Sequence, residues 1–76
     1  MTEKTEIEMV EVVSSNIHSV GYDATENVLQ VRFHGGALYR YLNVPENVYR
    51  GFLEADSAGR YLNTEVKGKY EYQKEG

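Results

Sequence analysis

The segment from Val28 to Pro45, VLQVRFHGGALYRYLNVP, restricts the folds open to this chain more than any other stretch, because its pattern permits one supersecondary reading. Val31 and Phe33 alternate with Gln30, Arg32 and His34. Tyr39 and Tyr41 alternate with Arg40, and Gly35-Gly36 supplies the positive φ angles of a tight turn, so the segment reads as a β-hairpin. Pro45 ends strand pairing and opens a helix. Register decides which face is buried, since a slip of one residue turns every side chain over. A two-residue turn at Gly35-Gly36 sets Phe33 opposite Leu38 and brings Arg40 onto the apolar face with Val31. A three-residue turn or a glycine bulge sets Phe33 beside Tyr39 and Val31 beside Tyr41, with Arg32 and Arg40 together on the other face. The second register is preferred because it keeps arginine out of the core.

Ile17 to Asp23 forms a first strand after the turn-like cluster Ser14-Ser15-Asn16, with Gly21 as a bulge or close-approach point. Val28 to His34 and Ala37 to Leu42 complete an antiparallel meander. Beyond Pro45 the apolar period lengthens to that of a helix. Val48, Phe52 and Ala55 share a stripe with Tyr49 and Leu53 alongside, and Gly51 weakens the helix slightly. Asp56 or Ser57 stops this helix and caps a second, whose apolar positions are Ala58, Tyr61, Leu62 and Val66 and whose C-terminal stop is Gly68. The expected fold is therefore α+β: a three-stranded antiparallel β-meander packed against two α-helices. Its core is drawn from Val20, Tyr22, Leu29, Val31, Phe33, Tyr39, Tyr41, Val48, Phe52, Leu53, Leu62 and Val66. Residues 1–11 read as a flexible acidic leader, 12–72 as the domain and 73–76 as a frayed tail.

With 76 residues the chain is one domain, and at this size only about 60% of the unfolded surface becomes buried. That leaves little room for a deep internal site. Cysteine is absent, which excludes a disulfide framework, a thiolate zinc site and cysteine redox chemistry. No apolar run approaches the roughly 18 residues of a membrane span, and the first residues lack the pattern of a secretory signal, so no membrane partner is expected and the expected compartment is cytoplasmic. The formal net charge of −4 disfavours strong, sequence-independent binding to nucleic acid without forbidding a local basic face.

Catalytic motifs are missing. There is no Gly-x-Ser-x-Gly, Gly35-Gly36 lacks the Gly-Lys-Ser/Thr ending of a phosphate loop, and His18 and His34 have no ligating residue at metal-site spacing. Neither metal nor cofactor is expected, and the chain reads as a binding domain, not an enzyme. Tyr39-Arg40-Tyr41 is a candidate for base stacking and phosphate contact, weighed against the commoner use of alternating tyrosines in a core. Arg32 and Arg40, neighbours in the preferred register, form a candidate phosphate clamp, with a nearby carboxylate as the commoner reason for such a pair. Arg60 beside the Ser57 turn is a second anion candidate against an ordinary helix cap. Lys67 and Lys69, with Tyr70 and Tyr72 interleaved, form a third, diluted by Glu65 and Glu71.

Several of these motifs occur together in a known order. Val13-Ser14-Ser15 leads to Val20-Gly21-Tyr22-Asp23, then Leu29-Gln30-Val31-Arg32-Phe33, Tyr39-Arg40-Tyr41, Val44-Pro45 and Val48-Tyr49. Ala55-Asp56-Ser57-Ala58-Gly59-Arg60-Tyr61-Leu62-Asn63 and Lys67-Gly68-Lys69-Tyr70 follow. The string resembles the KTSC domain, a family found at the C-terminus of some lysyl-tRNA synthetases and as stand-alone bacterial or phage proteins. Leu62 stands where phenylalanine is common in the family. The resemblance implies a compact domain with a meander and two helices, and a suggested role in RNA binding. It brings no catalytic site. The expected partner is RNA or tRNA through Arg32, Tyr39, Arg40, Tyr41, Arg60, Lys67 and Lys69. A protein partner, met by exposed tyrosines and the acidic leader, is the second reading.

Overall fold

Leu29 and Val31 have apolar partners on both sides, and the strand that carries them lies at the centre of the sheet. The computed structural model describes residues 8–75. Five strands, β1 (Met9–Glu11), β2 (Ile17–Asp23), β3 (Val28–Phe33), β4 (Leu38–Tyr41) and β5 (Tyr72–Lys74), form one antiparallel sheet in the order β1-β2-β3-β4-β5. Two helical segments complete the α+β fold. The first is α1 (Glu46–Glu54); the second is α2 (Ala58–Tyr61), which runs directly into a π-helical turn over Leu62–Val66. Among the described residues no helix is long and apolar enough to cross a membrane.

The sheet is wider than the expected three strands. Met9–Glu11, assigned to the flexible leader, pairs with Ser19–Gly21, and Tyr72–Lys74, which spans the expected boundary between the domain and the frayed tail, pairs with Tyr39–Tyr41. Each edge strand has three residues, too few to display an alternation of its own, and each is placed by pairing to a longer neighbour. Residues 1–7 of the leader lie outside the described residues.

The hairpin keeps the expected faces with a different register. Leu29 faces Tyr41, Gln30 faces Arg40, Val31 faces Tyr39 and Arg32 faces Leu38. Neither expected pairing occurs, because the three-residue loop is His34-Gly35-Gly36, closed by Phe33 N–H donating to Ala37 O at 2.8 Å. Only Gly36 there has positive φ, at 99°. The register differs from the preferred one by two residues, so side-chain direction is unchanged: the tyrosines face the helices and both arginines face the opposite side. Arg32 and Arg40 are consequently diagonal neighbours across Gln30. The bulge expected at Gly21 lies between Ile17 and Ser19.

Ile17, Val20, Leu29, Val31, Tyr41, Val44, Phe52, Ala58, Leu62 and Val66 form the buried core. Tyr22, Phe33, Tyr39, Val48, Tyr49 and Tyr61 pack around it. Leu53 does not belong to the core as expected; it is 46% exposed, at the last turn of α1, where the sheet beneath has ended in the short β1. Ser57 caps α2, its Oγ accepting from Arg60 N–H at 3.2 Å. Gly51 is required by packing, since a Cβ there would collide with the hydroxyl and ring of Tyr61. That close approach seats α1 against α2 and explains a glycine in a helix interior.

Candidate functional site

The helix-side face of β4 continues past the core into a cluster of aromatic rings. Tyr39 and Tyr41, two residues apart on β4, stack with centroids 6.4 Å apart. Pairing of Tyr41 with Tyr72 on β5 places a third ring 5.6 Å from Tyr41 and 5.3 Å from Tyr39. Phe33 closes the inner end, edge-on to Tyr39 at 5.4 Å. Such pairs stabilise by about 0.5–1.5 kcal/mol each beyond the area they bury.

Above these rings the chain leaves the second helix through the π turn, in which Lys67 N–H donates five residues back to Leu62 O at 2.8 Å. Gly68 follows with φ of 81°, a left-handed conformation that terminates the helix and turns the chain toward β5. Tyr39, Tyr41, Tyr72, Lys67 and Gly68 thereby enclose a groove of about 360 Å³. This lies at the small end of the roughly 300–1,000 Å³ usual for ligand sites. Tyr41 forms its floor at 2% exposure, whereas Tyr72 is 57% exposed and Tyr39 is half-buried. Burial, then the adjacent Tyr39 and Tyr72 hydroxyls, pushes the Tyr41 phenol above its usual range. At neutral pH it is a neutral group that both donates and accepts hydrogen bonds.

The seven residues singled out from the sequence do not share one face. Tyr39, Tyr41 and Lys67 come together in the groove. Arg32 and Arg40 lie on the opposite face of the sheet, and Arg40 Nε is buried without a hydrogen-bond partner among the described residues. No carboxylate answers the arginine pair: among the described residues the ion pairs are Arg50–Glu46, Lys69–Glu65 and His18–Glu11. Lys69 is thus held 3.9 Å from Glu65, outside the groove lining. Arg60 borders a shallow depression of about 190 Å³ with Asp56, Ser57 and Thr64. Tyr72 is the main addition. Its position in a basic, aromatic tail was visible, but its contact with Tyr39 and Tyr41 depends on β5 pairing with β4, for which the local sequence carries no signal.

His18 and His34, isolated in sequence, meet edge to face at 5.7 Å. His18 Nδ1 lies 3.1 Å from Ser19 Oγ, and His34 Nε2 lies 2.9 Å from Ser14 O. Among the described residues no three His, Cys, Asp or Glu side chains converge as metal ligands.

A five-stranded antiparallel sheet backed by two helical segments, with an aromatic groove at one edge, defines a small α+β domain with surface grooves. The model of the KTSC domain matches residues 13–70, and the chain belongs to that family. It is 46% identical over 61 residues to an uncharacterized protein of Stutzerimonas stutzeri, covering 80% of this chain and 86% of the relative. A lysine–tRNA ligase of Trichormus variabilis is 34% identical over 59 residues, which make up 78% of this chain and 10% of the ligase. Among solved structures, the crystal structure of a KTSC domain protein from Yersinia pestis superposes with a TM-score of 0.87 at 38% identity, covering 93% of this chain and 100% of that one.

Proposed function

We propose that this domain binds single-stranded nucleic acid, RNA in the first place, through the groove of Tyr39, Tyr41, Tyr72 and Lys67, and performs no chemistry of its own. The observation that carries the reading is the exposed Tyr72 ring packed against Tyr39 beside a lysine that has no ion pair among the described residues. Aromatic faces stack on unpaired bases at about 1–3 kcal/mol per base, and an adjacent cation meets the phosphate. The similarity to a lysine–tRNA ligase favours RNA over DNA as the first ligand to test.

Tyr72 and Tyr39 act as the stacking faces and Tyr41 supports them from below. Arg32 and Arg40 have no part in this site, because the sheet separates them from it. Phosphate contacts are few, so binding is weak and its salt dependence shallow, with a slope of roughly 0.7 per phosphate neutralised on a single strand. Fluorescence anisotropy with a labelled single-stranded oligouridylate, at low and physiological salt, tests the proposal. Binding that weakens on the order of tenfold in Tyr72→Ala supports it. Equal binding by Tyr72→Ala and wild type refutes it.

A further inference from the structure

The four large apolar side chains left exposed among the described residues all line one of two grooves: Tyr72 the aromatic one, and Val10, Val13 and Leu53 a second at the other edge of the sheet. Val13 is 95% exposed. The second groove, of about 410 Å³, runs between β1 and the end of α1, with Ala58 in its wall and Glu11 and Asp56 at its margin.

Among the described residues β1 is the terminal strand of the sheet. Val12 N–H donates to His18 O at 3.2 Å, which places Val12, and by the antiparallel alternation Val10, in the set bonded to β2. Met9 and Glu11 therefore direct their backbone N–H and C=O groups away from the sheet. Natural edge strands are commonly protected by lysine, proline or a bulge. From Glu8 to Val13 there is no Lys, Arg or Pro, and the charges present are Glu8 and Glu11. The one cation-capable side chain within ion-pair distance of this edge among the described residues is His18, 3.9 Å from Glu11.

We infer that the β1 edge takes up an extended, cationic segment of another protein as a sixth strand. The added backbone bonds to Met9 and Glu11, as in β-strand addition. Alternate apolar side chains of that segment enter the groove against Val10, Val13 and Leu53. Its Lys or Arg residues, on the alternate face, meet Glu11, and Glu8 and Asp56 add negative charge on the groove side. Charge selects this occupant over a second copy, since pairing β1 with itself gathers the carboxylates of two chains at one seam.

The test uses the full chain with labelled amides and three synthetic octapeptides: alternating Lys-Val, alternating Glu-Val, and Lys-Val with alternate amides N-methylated. The expected result is that the Lys-Val peptide protects the Met9 and Glu11 amides from exchange and shifts Val13 and Leu53, while the other two do not. Leu53→Lys is expected to weaken binding on the order of tenfold, as loss of an apolar anchor does. Glu11→Lys, an exposed change that leaves the core intact, is expected to move the preference toward the Glu-Val peptide. Binding of both charged peptides alike, or binding without protection of Met9 and Glu11, overturns the inference. Protection of those amides that rises with protein concentration alone assigns the edge to a second copy and also overturns it.

Discussion

The two edges of one sheet carry grooves of similar size and opposite chemistry. At β4–β5 the lining is three tyrosines, a lysine and Gly68; at β1 it is mostly aliphatic with Phe52, bordered by Glu11 and Asp56. Both open on the helix side, and both exist because the helical segments cover the middle of the sheet and not its margins. The difference teaches that in a domain this small the core and the candidate sites are parts of the same side-chain layer. Tyr41 is core and groove floor at once. Surface chemistry is set where that layer runs out, by the few side chains that the core leaves exposed.

Substitutions separate the two edges from each other and from the core they share. Tyr41→Ala is expected to have the largest effect, lowering stability by about 3 kcal/mol in denaturant titration, because it empties the end of the core beneath the aromatic groove. Gly51→Ala acts on the seat common to both edges. Helix propensity alone would favour it by about 1 kcal/mol. The collision with Tyr61 reverses the sign, and a net loss of about 1–3 kcal/mol is expected.

Tyr72→Ala is expected to cost less stability than Tyr41→Ala, about 1–2 kcal/mol for its two aromatic contacts, while removing about 1–3 kcal/mol of RNA affinity. Arg40→Met retains the packed stem and deletes a buried donor that has no partner among the described residues. Stability equal to or above wild type, within about 1 kcal/mol, and unchanged RNA affinity are expected.

The smallest effect concerns protons. Burial is the first cause that raises the phenols of Tyr22, Tyr41, Tyr49 and Tyr61 above the usual value of about 10, with nearby carboxylates or phenols adding to it. The folded chain then holds these protons more tightly than the unfolded chain. Stability from this source is complete below about pH 10 and is lost as pH rises through the folded values. Denaturant midpoints compared at neutral and alkaline pH, with tyrosinate absorbance followed in parallel, check the direction.

Alternation made the faces of β3 and β4 legible: tyrosines toward the helices, Arg32 and Arg40 away. It could not give the register, because period two is unchanged by a slip of two residues and the loop begins at His34, not at the glycines. Helical spacing identified Val48, Phe52, Leu62 and Val66 as inward. It also counted Leu53, whose exposure depends on how far the sheet extends beneath α1. Ala58 was placed by the same spacing in the second helix, whereas Val44, buried outside any clear pattern, gave no periodic signal. The groove was half legible, in Tyr39, Tyr41 and Lys67. Tyr72 joins it through long-range pairing, and the π turn that brings Lys67 over the rings looks like an ordinary helix end in sequence.

The most direct test of the account is an amide-resolved NMR titration of the labelled domain with single-stranded RNA at low and physiological salt. Shifts confined to Tyr39, Lys67, Gly68 and Tyr72, with Arg32, Arg40 and the β1 edge unmoved, are the expected result. Shifts centred on Arg32 and Arg40 would contradict it, placing the ligand on the other face of the sheet.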